Sequence, residues 1–410
     1  MTTHIFRHLA LLLVLAGVLS GCGSRMEIEE RAFVVVMGLD QAEGNDVSIT
    51  YQIANPQVGS SDQANQSQEP ASDIITFTAP DFLTGRDLAN ASIPRKLSFS
   101  HTKVLIIGEK LAKSEKFFSI IGATLREREM RREMNILVSR EPAAEFIRSN
   151  SPKLETRPHK FFDFMVDRWQ DTGLVPLSTV NRFFQRTESK NGLFLAIYCT
   201  TREYRHPEKG QEDEYLPGEI DEKGGNVTQM IGSAVFKNGK MIGALNGEET
   251  RFSLVMRSKS KADEMLVTYK DPLHPNYRIA ARLLHPGRTH IKVDVKGERP
   301  VVKVTVPVNV DIMSIPSFEN YSENFSKQEL LRASLEHQLE TKSRKLVKKM
   351  QTKYKGDPFM WELSARPRFL TLAEFQQYHW MERFPEANVT VDFQVKLREF
   401  GKQLRPPLKP

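Results

Sequence analysis

The chain has 410 residues, enough for two or three domains that each bury a core, with 40% hydrophobic and 27% charged residues and only two cysteines. That composition is globular, leaves no room for a disulfide framework, and holds no second membrane segment after the apolar run ending at Leu19. A net charge of +7 suits anionic lipid; nucleic acid is excluded, because the basic residues are spread among nearly as many acids and no nucleic-acid motif is present.

At the N-terminus, Arg7 with His4 and His8 precedes the apolar run Leu9–Leu19, which is too short to span a ~30 Å hydrocarbon core. Ser20 and Gly21 are the small residues that a cut site needs, and Cys22 follows directly. Leu19-Ser20-Gly21-Cys22 therefore reads as a bacterial lipobox: residues 1–21 are a lipoprotein signal peptide, and the Cys22 thiol takes a diacylglycerol. The alternatives are an ordinary cleaved signal with an incidental cysteine, or an uncleaved membrane stub. With Cys22 acylated, Cys199 has no partner, and its place in the apolar run Leu193–Cys199 makes it a buried structural thiol.

Residues 23–150 read as an N-terminal α+β domain. Phe33–Leu39 is a continuous apolar strand, Val47–Ala54 alternates, and Glu43-Gly44-Asn45-Asp46 joins them as an antiparallel hairpin. Asn55–Ser72, rich in Ser, Gln, Asn and Asp, reads as a mobile surface loop. There follow a strand near Ile74–Thr78, a helix near Asp81–Ala91 and a strand at Lys103–Ile107. A long helix through Glu115–Glu133, a strand at Asn135–Val138 and a helix from Pro142 complete the domain. The alternating charges of Arg126–Glu133 suit a solvated helix face with i,i+4 pairs, or a docking surface for an acidic partner.

Residues 151–225 read as a small middle domain with an acidic loop. Phe161, Phe162, Phe164, Met165, Val166 and Trp169 crowd one helix, and Leu177, Val180, Phe183 and Phe184 mark a second. Such aromatics read first as core and second as a partner-docking face. The strand Leu193–Cys199 closes the unit, and His206–Asn226 is a flexible connection with little to bury.

Residues 226–402 read as a C-terminal α+β domain, an antiparallel sheet covered by two helices. Asn238-Gly239 is a type I′ turn between the strands Thr228–Phe236 and Lys240–Leu245. Further strands are expected at Phe252–Met256, Glu264–Tyr269 and Thr289–Lys296. Val302–Ile312 and Val389–Leu397 alternate strictly, the antiparallel habit of a sheet with one wet face. Ser326-Lys327-Gln328-Glu329 is a capping box opening a helix over Lys327–Lys355, with Leu331, Leu335, Leu339, Leu346 and Met350 on one stripe. Thr371-Leu372-Ala373-Glu374 opens a second, Thr371–Arg383. The basic end of the first (Lys342, Arg344, Lys345, Lys348, Lys349, Lys353) is either solvated and favourable to the helix dipole, or membrane-facing. The expected fold class is α+β, multi-domain, with mostly antiparallel sheets flanked by helices.

No P-loop, dinucleotide fingerprint, G-x-S-x-G or His-Glu-x-x-His motif is present. His206, His274 and His285 each precede proline, and His285 with His290 holds a metal only if ligands come from elsewhere. No catalytic, cofactor-binding or metal residue is expected, and Cys22 is the single assigned site. Carboxylates are nonetheless plentiful, which keeps open a second class, a lipid-anchored solute-binding protein or hydrolase.

Laid out in order, the chain resembles the Ger(x)C family of spore germination lipoproteins, the C subunits of nutrient germinant receptors. The carriers are Cys22, Phe33-Val34-Val35-Val36-Met37-Gly38-Leu39-Asp40, and Ser100-His101-Thr102-Lys103-Val104-Leu105-Ile106-Ile107-Gly108-Glu109. Gly232-Ser233-Ala234-Val235-Phe236-Lys237 and Phe384-Pro385, followed by Val389–Leu397, complete them. The chain departs from the pattern at Gly23-Ser24, where an aromatic and an acid are usual, and at Phe359-Met360-Trp361-Glu362, where the family has a glycine-rich turn. The resemblance implies three α+β domains, attachment to the outer face of the spore's inner membrane, two membrane-embedded partner subunits and no catalytic activity.

Overall fold

The computed structural model describes residues 8, 30–55, 70–190, 192–204, 213–259, 262 and 264–401. Cys22 with the whole lipobox, most of the expected loop over 55–72 and the first part of the acidic loop lie outside them.

β1 (Arg31–Gln41), β2 (Val47–Ala54) and β3 (Ser72–Ala79) form an antiparallel meander that includes the expected hairpin. The short β4 (Lys96–Ser98) lies parallel to the start of β1. Beyond it β5 (Val104–Gly108), β6 (Asn135–Ser139) and β7 (Phe194–Thr200) continue from β1 as parallel neighbours. Antiparallel β8 (Gln229–Lys237) and β9 (Lys240–Leu245) end this nine-stranded sheet. Asn238 and Gly239 between them both have positive φ, 51° and 81°, as a type I′ turn requires.

A parallel sheet needs cover on both faces, and β5 and β7 are buried along their whole length. The connections carry α1 (Phe82–Asn90), α2 (Phe117–Gly122), α3 (Ala143–Ser149), α4 (Pro158–Thr172) and α5 (Val180–Ser189). One face packs α1, α2 and α5 around Phe82, Phe117, Phe183 and Phe236. The other packs α3 and α4 through Phe146, Ile147, Phe161, Phe162 and Val166. The crowded aromatics of α4 are thus mostly core; Phe164 is exposed and the Trp169 side chain lies outside the description.

The expected boundaries at 150 and 226 do not divide the sheets. α4, α5 and β7 belong to the first sheet, with β7 inserted between β6 and β8. A strand as apolar as Phe194–Cys199 requires neighbours on both edges and cover on both faces, which only a sheet centre offers. β8 and β9 join that sheet as well, so it draws strands from both sides of residue 226.

The second sheet comprises β10 (Glu264–Lys270), β11 (Arg278–Leu284), β12 (His290–Asp294), β13 (Val301–Ser314) and β14 (Asn388–Glu399). β11 and β12 share one edge of β13, at its opposite ends, and β14 runs along the other edge. β14 is parallel to β13, not antiparallel. The alternation of its sequence reports one buried face, which is independent of strand direction.

Local signals decide four further differences. Phe252–Met256 is not a strand: α6 (Gly247–Val255) occupies it, opened by a capping box between Asn246 and Glu249. The helix expected to Glu133 stops after α2 and a 3₁₀ turn at Ala123–Leu125; Arg126–Glu133 then folds as turns that bury Met130. α7 (Phe325–Lys349) is capped by Asn324, whose side chain accepts from Lys327 N at 3.1 Å, rather than by Ser326. Its stripe Leu331, Leu335, Leu339 and Leu346 is buried against the second sheet. α8 (Leu372–Gln377) has the expected Thr371–Glu374 capping box, but ends before His379 at φ 53°. Leu193, Leu195, Val235 and Leu245 of the first sheet join the second core, so the two sheets share apolar contacts.

Candidate functional site

Of the residues singled out in the sequence, Cys22 lies outside the described ones. Cys199 is buried, its Sγ donates to Val138 O at 3.4 Å, and burial pushes its thiol pKa well up. A thiol without thiolate character is not a nucleophile. The structure does not bring the two histidines into a metal site. Buried His285 shares a hydrogen bond with Thr289 Oγ1 at 3.1 Å, and His290 is exposed on β12. Among the described residues no group of three His, Cys, Asp or Glu side chains is placed to hold a metal ion.

Ligands of open α/β sheets bind beyond the carboxyl ends of parallel strands. Here those ends are Asp40 on β1, Gly108 on β5, Ser139 on β6 and Thr200 on β7. Asp40 accepts from Ala143 N at 2.7 Å and Ala144 N at 2.9 Å, capping α3. Burial raises its pKa, and the two amides oppose that rise. A side chain at Gly108 would put Cβ 2.1 Å from Asp40 Oδ1, and one at Gly38 would meet Ile147 Cδ1 at 2.7 Å. Glu109 accepts from Tyr198 OH at 2.7 Å. Glu141, buried, accepts from Thr200 Oγ1 at 2.5 Å, Thr201 N at 2.6 Å and Thr201 Oγ1 at 2.8 Å. These carboxylates spend their acceptors on the chain itself, so this edge fastens loops and α3 to the sheet.

A second polar cluster lies where the two sheets meet. Asp357 is buried, and its carboxylate accepts from Phe359 N at 2.7 Å, Trp361 N at 2.9 Å, Glu362 N at 3.2 Å and Trp380 Nε1 at 3.0 Å. Its backbone oxygen takes the amide of Leu193 at 2.8 Å, from the first sheet. Glu362 forms a buried ion pair with Arg186 of α5. Arg257 donates to Pro358 O at 3.0 and 3.3 Å, and Trp361 Nε1 to Met256 O at 2.9 Å. Burial and the neighbouring Asp357 push the Glu362 pKa up to about 8; burial pulls Arg257 down to about 9. Such a hub ties α5, β7 and the segment after α7 into one unit. Asp357, Glu362, Arg186 and Arg257 escaped the sequence reading because their partners are far apart in the chain. The local signal was Gly356-Asp357-Pro358, a turn whose aspartate bonds amides two and four residues on.

Residues 24–200 match the family described as Spore germination protein N-terminal domain, and residues 231–401 match Spore germination B3/GerAC like, C-terminal. The chain belongs to the Ger(x)C, or GerAC-like, family of spore germination proteins. As the resemblance implied, it is a C-type germinant-receptor subunit. Spore germination protein B3 of Bacillus subtilis (strain 168) is 24% identical over 93% of this chain and 95% of its own length. Spore germination protein KC of the same organism is 25% identical over 46% of this chain and 43% of its own. A crystal structure of the GerBC protein, 18% identical, shares the fold with a TM-score of 0.52 over 88% of this chain and 96% of that one.

The family stretches now have physical roles. Gly38, Asp40, Gly108 and Glu109 make the cap and close contacts at the ends of β1 and β5. Gly232 has φ 83°, and a Cβ there would lie 2.3 Å from Leu245 O. Where this GerAC-like chain lacks the glycine-rich turn, Met360 takes φ 64° itself, held between Phe359 and Trp361, whose rings stack at 4.4 Å.

Proposed function

We propose that this chain is the lipid-anchored, non-enzymatic C subunit of a nutrient germinant receptor. It is tethered through acylated Cys22 to the outer face of the spore's inner membrane and acts by assembly with two membrane-embedded partner subunits. The observation that carries this reading is order: two spore germination domains, 24–200 and 231–401, follow directly behind Leu19-Ser20-Gly21-Cys22. Saturated carboxylates at the strand ends, in place of a free acid, base or nucleophile, support a binding role over a catalytic one.

Two acyl chains suffice for stable attachment where one does not. Cys22→Ala is therefore expected to release the protein from membranes or to leave the precursor uncleaved; processing and fractionation like wild type overturns the tether. In spores stripped of other receptors, loss of the chain is expected to block germination by one class of nutrients and spare non-nutrient triggers. Normal germination with every nutrient tested overturns the receptor role.

A further inference from the structure

The C-terminal half carries a basic groove that the tether and the buried junction do not use. Lys292 of β12 and Lys303 of β13 stand directly opposite each other in register, both exposed. Like charges so placed repel, and neither has a carboxylate partner among the described residues. Lys296 and Arg368 add two more cations to this open groove of about 690 Å³. Its one carboxylate, Asp294, accepts from Lys296 N at 3.0 Å. Lysines on an exposed edge strand commonly guard against edge pairing. That does not account for Lys303, because β13 has β12 on one side and β14 on the other at this level.

The neighbouring segment is apolar and bare. Leu363, Leu370 and Leu372 are 57%, 95% and 55% exposed. Leu363 sits on the helical turn Glu362–Ala365, which packs on β12, and Leu370 lies two residues beyond Arg368 of the groove wall. Single exposed leucines are ordinary. Three within ten residues of chain, beside four cations, combine the two chemistries of a bilayer surface: phosphates for the cations and an acyl boundary for the leucines. A free phosphate has no use for the leucines.

We propose that this groove and its leucine rim are a second membrane contact. The cations take the phosphates of anionic lipid headgroups, Leu370 enters the acyl boundary, and the C-terminal half lies on the bilayer instead of standing away from it. The choice of lipid as the occupant rests on the membrane location proposed above.

The test uses the full mature chain carrying Cys22→Ala, so that no acyl chain contributes, sedimented with vesicles of phosphatidylcholine alone or mixed with phosphatidylglycerol. Binding is expected only to the mixed vesicles, and to fall as salt rises. Lys292→Glu with Lys303→Glu is expected to weaken it by about tenfold or more, and Leu370→Ser severalfold, with unchanged melting temperatures. No binding to mixed vesicles, equal binding to phosphatidylcholine, or binding indifferent to these substitutions overturns the proposal. So does a melting shift with inorganic phosphate in the absence of vesicle binding, which assigns the groove to a free anion. Because the acyl group is absent, a failure here leaves the Cys22 tether standing, and a failure of the tether leaves this result readable.

Discussion

Asp40 and Gly108 work as one device: the carboxylate caps α3 only because the glycine leaves room for it. Removing the acceptor strands two amides at the start of α3, so Asp40→Ala is expected to cost about 1–3 kcal/mol in denaturant melts. Gly108→Ala pushes the same carboxylate aside. The double variant should therefore lose much less than the sum of the two single losses; simple additivity means the residues act separately. Glu362 makes a prediction in pH. Its pKa is about 8 in the fold against an ordinary 4.5, so the folded state holds the extra proton between those values. Its contribution to stability is then complete below about pH 4.5 and is lost as pH rises toward 8. Glu362→Gln keeps the neutral shape and is expected to flatten the fall in urea midpoint over that window. A wild-type midpoint that rises relative to the variant has the wrong sign for this account.

At the level of elements, the start of α7 is a place where two readings compete. Asn324 accepts the amide that a cap must accept, although Ser326 begins the better sequence match. Asn324→Ala is expected to lower stability by about 1 kcal/mol, and Ser326→Ala to stay within about 0.5 kcal/mol. Farther along, Leu339 is buried under the helix on the second sheet, and Leu339→Ala should cost about 2–5 kcal/mol. Near-wild-type melting there shows that the stripe is not packed. The basic end of α7 faces inward in part: Lys342 pairs with Glu248 and Lys349 with both oxygens of Glu249, at 2.7 Å, on α6. Those two charges serve helix–helix contact, while Arg344, Lys345, Lys348 and Lys353 are exposed, as a solvated face requires. Phe252–Met256 reads as a strand yet falls largely in α6, because period does not separate strand from helix in so short an apolar run.

For the whole molecule, the shared core is the governing fact. Leu193, Leu195, Val235 and Leu245 leave the first sheet to pack with the second, and Leu193 N bonds Asp357 O at 2.8 Å across the same junction. Domain interfaces that are large and apolar resist relative motion. Both sheets are accordingly expected to unfold in one calorimetric transition. Two resolved transitions would show that the halves are independent. Arg186→Ala strips the buried Glu362 carboxyl of its hydrogen-bond partner and is expected to cost about 1–3 kcal/mol, felt by both sheets at once.

The sequence by itself determined whatever rests on neighbours in the chain. The β1–β2 hairpin, the Asn238-Gly239 turn, the Thr371–Glu374 cap and the buried stripe of α7 each depend on period or on fixed turn chemistry. It also determined the family, because the recognisable stretches come in order along nearly the whole chain. Only the tertiary structure decided which sheet receives β7, that β14 runs parallel to β13, and that Asp357, Arg186 and Glu362 meet. The reason is the same in each case. A strand's pattern records how many of its faces are buried but not its neighbour or its direction, and a buried charge finds its partner through the fold, here from positions 186 and 362.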